Sequence, residues 1–122
     1  VQVKNCKTQE DAKKIAFSIA NSPLVKTAIA GCDPNWGRII MAIGKADVDI
    51  DVNKLNIKLG PIKIIEKGQL LKTYVEDDAT VYMKEEKKID IIVDINSGKK
   101  EFTAFTMDLT KRYIEINASY RT

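Results

Sequence analysis

Between Ser22 and Arg38 the run SPLVKTAIAGCDPNWGR gathers the side chains best suited to chemistry: a thiol at Cys32, a carboxylate at Asp33, an amide at Asn35, an indole at Trp36 and a guanidinium at Arg38. A second polar pair stands at the other end of the chain, in INASYRT, where Asn117 offers an amide and Thr122 a hydroxyl. An amide donates and accepts and a hydroxyl can do either, but by residue type alone an Asn and a Thr at a chain end read as solvated. The 122 residues include no histidine, which removes every histidine-dependent triad and the commonest general base. Catalysis would have to rest on carboxylates, lysine, cysteine or an amine. Cys6 and Cys32 are the only cysteines and show no CxxC spacing, so no metal site is expected and both thiols read as inert. The alternate acids Asp47, Asp49 and Asp51 read as the wet face of a strand, not as a cation site.

Local physics accounts for much of the first cluster. Gly31 ends one helix, Asp33 and Pro34 carry the cap and first-turn signals of the next, and Trp36 staples the junction to the core. Asp33, Pro34, Asn35, Trp36, Gly37 and Arg38 are therefore read as a structural motif, and Lys26 as a solvated helix lysine. Gly37 costs about 1 kcal/mol relative to Ala inside a helix, which leads us to expect a close approach to its backbone.

The elements that must position these groups follow from periodicity. Val1 and Val3 fit the inward face of a short strand. Thr8 caps a helix over about Gln9 to Asn21, whose Ala12, Ile15, Ala16, Ile19 and Ala20 recur at helical spacing. Ser22-Pro23 opens a second helix to Ala30, and Asp33-Pro34 a third through Ile39, Ile40 and Ile43 to about Gly44. From Asp47 the period becomes two, giving strands over Asp47 to Val52, Leu55 to Leu59 and Ile62 to Glu66, with turns at Gly60-Pro61 and Lys67-Gly68. Val75 to Glu86 reads as a helix capped by Asp77. Ile89 to Ile95 alternates cleanly, and Asn96-Ser97-Gly98 predicts a hairpin whose partner strand is Glu101 to Met107. A last turn and strand are expected through Tyr113, Ile114 and Ile116. No linker or repeat divides residues 1–122, so the reading is a single α+β domain: a small mixed sheet with short helices packed on one face.

Lys and Arg number 20 against 17 Asp and Glu, and the surplus is dispersed. Only Arg38, Arg112 and Arg121 are arginines, whereas phosphate and guanine recognition favours Arg, so no nucleic-acid partner is expected. The paired lysines Lys87-Lys88 and Lys99-Lys100 read as solubilisers of turns. No apolar run approaches the roughly 20 residues that cross a bilayer, so no membrane partner is expected either.

The run SPLVKTAIAGCDPNWGRIIMAIGKA resembles the signature of the ornithine acetyltransferase (glutamate N-acetyltransferase) family, and TMDLTKRYIEINASYRT, residues 106–122, resembles that family's C-terminal block. The resemblance spans the whole chain, anchored at both ends. It implies the roll-like C-terminal domain of that fold, part of the processed beta chain of a cytoplasmic enzyme of arginine biosynthesis. Such an enzyme moves an acetyl group from N2-acetyl-L-ornithine to L-glutamate, and in bifunctional members also from acetyl-CoA. It implies no metal or organic cofactor. The precursor cuts itself before a threonine, whose hydroxyl, activated by its freed α-amino group, carries the acetyl group as an ester.

Because the chain begins at Val1 and lacks that cleavage motif, the nucleophile-bearing region is expected upstream, and no catalytic residue is expected within this chain. Asn117 and Thr122 match the family's C-terminal substrate-binding Asn and Thr. The partners implied are the two substrates, the upstream alpha and beta segments, and a heterotetramer of two alpha and two beta chains. The rival reading, a stand-alone protein-interaction domain without catalysis, explains neither DPNWGR nor INASYRT.

Overall fold

The computed structural model describes residues 1–108. Strand β1 (Gln2–Cys6) leads into helices α1 (Gln9–Ala20), α2 (Pro23–Ala30) and α3 (Trp36–Gly44). Each of these three helices starts where a side-chain oxygen takes up an N–H that the first turn leaves unpaired. Thr8 Oγ1 accepts from Asp11 N at 3.0 Å, Ser22 Oγ from Val25 N at 3.3 Å and Asn35 Oδ1 from Arg38 N at 3.1 Å. The first two caps are those expected from the sequence. The third corrects it, because Asn35 and not Asp33 is the cap and the helix begins only at Trp36. Asn35 N donates to the Asp33 carbonyl and Trp36 N to the Pro34 carbonyl, two three-residue turns that keep this stretch off the helical path.

A short 3₁₀ turn (Val52–Lys54) precedes β2 (Asn56–Leu59), β3 (Ile62–Glu66) and β4 (Gln69–Leu70), followed by α4 (Glu76–Glu85), β5 (Ile91–Asp94) and β6 (Lys100–Thr103). The strand expected over Asp47 to Val52 does not form. Its acids are exposed, Val48 and Ile50 are half-buried, and the Asp51 carboxylate accepts from Asn53 N at 3.0 Å to start the 3₁₀ turn. Burial alternates there without a ladder to join. In α4 the cap position is Val75, with no side-chain hydrogen bond. Asp77 sits in the first turn beside Glu76 and Asp78, where carboxylates favour the positive end of the helix dipole. β4 follows the turn expected at Lys67-Gly68 and was not anticipated.

The six strands form one mixed sheet in the order β4-β3-β2-β5-β1-β6. This overturns the expected β5–β6 hairpin: β1 lies between the two, parallel to β5 and antiparallel to β6. The Asn96-Ser97-Gly98 link crosses the end of β1, with Ser97 N and Gly98 N both donating to the Asn5 carbonyl at 2.8 and 2.9 Å. Asn5 Nδ2 also donates to Asp94 Oδ1 at 2.9 Å, tying the end of β1 to the end of β5.

One row of apolar side chains crosses five strands, Phe102, Val3, Val93, Ile57 and Ile65 in register, and the helices cover that face. Ile15 and Ile19 of α1, Ile39 and Ile43 of α3, and Met83 of α4 join the same core. Burying each such side chain is worth about 1.5–3 kcal/mol, which is what holds three short helices too brief to persist alone. Phe17 of α1 meets Phe102 of β6 at 5.5 Å between ring centroids, a tilted pair that fixes α1 over the sheet's β6 edge. The opposite face carries half-buried Gln2, Lys4, Lys58 and Asp94. The α+β architecture with helices on one face is therefore as expected, while its strand order is not.

Cys6 belongs to this core, and burial, with Asp11 and Asp94 adding, pushes its thiol up from 9.0 to about 11. Iodoacetamide at pH 8 is accordingly expected to label half-buried Cys32 while sparing Cys6, and to label both in denaturant; peptide mass spectrometry reads the difference. The unfolded thiol gives up its proton before the folded one. Cys6 therefore contributes stability in full below pH 9 and loses it as pH rises toward 11, a loss that Cys6→Ala should not show.

Candidate functional site

The α2–α3 junction places the DPNWGR residues together and shows how they are occupied. Asn35 Nδ2 donates to Asp33 Oδ2 at 3.3 Å while its Oδ1 caps α3. The Arg38 guanidinium reaches back to α2, donating through Nη1 to the Leu24 carbonyl at 2.9 Å and to Thr27 Oγ1 at 3.3 Å. Pro34 is buried, and half-buried Trp36 packs against the core. Ser18 of α1 donates its hydroxyl to the Ala42 carbonyl of α3, so the third helix is held to the first as well as the second.

Gly37 meets no close neighbour among the described residues. A Cβ there would lie 3.5 Å from Asn35 Oδ1, an ordinary contact, so the expected close approach to its backbone is not found. Its position in the first helical turn, directly after Trp36, explains its tolerance: it sits beside the cap instead of within the helix interior.

The cap assignment can be tested directly. Asn35→Ala is expected to cost about 1 kcal/mol in a urea melt, the usual worth of an N-cap. Asp33→Ala, which loses one long bond from an exposed amide, should cost less than half of that. A larger loss at Asp33 would reverse the assignment.

A cleft of about 740 Å³ opens between the ends of α1 and α2, the stretch from Met83 to Ile92, and the segment Thr103–Asp108. Its floor is apolar, with Ile19, Val25, Ile29 and Ile91, and its rim mixes Lys26, Lys87 and Lys88 with Glu86, Asp90 and Asp108. Lys88 and Asp90 stand 4.0 Å apart on that rim, both well exposed, a pairing worth little in stability. Paired cations and anions over an apolar floor can receive a small zwitterion but supply no nucleophile with an adjacent base. Cys32 joins the two regions, lining the cleft with its backbone in the left-handed region at φ 51, while Asp33 to Arg38 do not line it.

Nearby, Tyr74 has a buried hydroxyl with no hydrogen-bond partner among the described residues, and burial, then Glu76 and Asp33, raise its pKa. The cleft could not be read from the sequence, because its walls come from segments about eighty residues apart whose lysines individually look like solvated surface.

The segment after β6 runs along this cleft. Ala104 N donates to the Val1 carbonyl at 2.8 Å, and Thr106 Oγ1 donates to the Ala20 carbonyl at 3.0 Å, pinning it to the end of α1. Asn117, Thr122 and the strand expected near Ile114 lie outside the described residues. Among the described residues no three Cys, Asp or Glu side chains converge as a metal site requires, and no helix is long and apolar enough to cross a membrane.

A family model described as the ArgJ family matches residues 1–122. The arginine biosynthesis bifunctional protein ArgJ of Brucella melitensis biotype 1 is 49% identical over 121 residues, covering 99% of this chain and 29% of that protein. Its counterpart in Ruegeria pomeroyi is 50% identical over 121 residues, with the same coverage. The crystal structure of arginine biosynthesis bifunctional protein ArgJ from Bacillus halodurans superposes with a TM-score of 0.92 at 37% identity, over 98% of this chain and 55% of that one. The chain thus spans about 29% of the length of the curated relatives it matches.

Proposed function

Since this chain belongs to the ArgJ family, we propose that it forms the C-terminal domain of an acetyl-transferring enzyme of arginine biosynthesis and supplies substrate-binding surface, not the nucleophile. The observation that carries this reading is a family match over the full chain that accounts for less than a third of its relatives' length.

In the proposed reaction a threonine hydroxyl, borne on a segment upstream of this one, attacks the acetyl carbonyl of N2-acetyl-L-ornithine. The C–N bond breaks, the ornithine amine leaves with the hydroxyl's proton, and the acetyl group rests on the threonine as an ester. The amine of L-glutamate then attacks that ester, taking the acetyl group and returning the hydroxyl. The freed α-amino group of the threonine serves as base; its ordinary pKa of about 7.7–8.0 leaves a useful neutral fraction near pH 7. Asn117 and Thr122 hold the α-amino and carboxylate groups of the substrate.

The complete enzyme is proposed to be a cytoplasmic heterotetramer of two alpha and two beta chains. Exposed Leu24 and Met41, on the outer side of α2 and α3, are consistent with burial against the rest of the longer protein.

The test is acetyl transfer from N2-acetyl-L-ornithine to L-glutamate. Residues 1–122 alone are expected to give no product above background, and the full-length protein to turn over. Transfer by residues 1–122 alone would sink the assignment of the nucleophile to another segment.

A further inference from the structure

No further inference is drawn: the strongest candidate, the cleft between the ends of α1 and α2, the stretch after α4 and the segment Thr103–Asp108, belongs to the site already described, and nothing in the structure shows what covers it.

Discussion

Gly98→Ala is expected to lower the stability of the chain by about 3 kcal/mol, roughly 10 °C in Tm for a protein of this size. A Cβ at Gly98 would stand 2.3 Å from the Cys6 carbonyl oxygen, 2.7 Å from its carbon and 2.8 Å from Lys7 Cα. All three are backbone atoms, so no rotamer change can make room. Relief requires lifting the Asn96–Gly98 link off the end of β1, which would break the bonds from Ser97 N and Gly98 N to the Asn5 carbonyl. Gly44→Ala is the matched control: among the described residues nothing lies within 4 Å of the added Cβ, and Ala favours the helix it ends, so its melt should be unchanged or slightly raised. Thermal unfolding followed by circular dichroism reads both. Equal melting of the two variants would mean that the link does not lie against β1.

That prediction separates two topologies with the same sequence pattern. Two alternating strands joined by Asn-Ser-Gly suit a tight hairpin, yet the five residues from Ile95 to Lys99 also reach across an intervening strand. Neighbouring strands lie about 4.8 Å apart, so skipping one needs a span of about 10 Å, well within five residues at roughly 3.3 Å each. Local periodicity sets which face each side chain takes but not which strand lies alongside. β1 was legible as a strand from Val1 and Val3. Its place between β5 and β6 was not, because that depends on pairings some ninety residues apart.

The helices were more legible because their signals are local. Thr8, Ser22 and Pro23 act within one turn of themselves, and α1 and α2 begin where those residues say. Asp33-Pro34 predicts the third helix start, but the backbone path decides where it falls. Two consecutive tight turns carry that path past Asp33 and leave the cap to Asn35. The Asp47–Val52 stretch fails for the opposite reason: its alternation is real as burial, but it pairs with no strand among the described residues. The candidate site divides in the same way. The DPNWGR residues were legible as a corner because their bonds fall among themselves and to α2, whereas the cleft is assembled from both ends of the chain.

On the proposed function, Asn117→Ala and Thr122→Ala in the full-length protein are each expected to lower kcat/KM for acetyl transfer by about 10- to 100-fold. This follows if each supplies the proposed polar contact to the substrate, whose removal is worth roughly 1–3 kcal/mol. The loss should fall mainly on KM, because groups that hold the amino acid equally in ground and transition states contribute uniform binding. Thr122→Ser, which keeps the hydroxyl, should recover most of the activity, and Thr122→Val, which keeps the shape, should not. Asn117→Asp places a carboxylate where an amide is proposed to meet the substrate, so it should be worse than Asn117→Ala if the partner is the substrate carboxylate, and milder if it is the α-amino group. The two outcomes orient the substrate. Thermal melts of the variants matching the parent would set these losses apart from damage to the fold, and wild-type kinetics in both alanine variants would remove the two residues from the site.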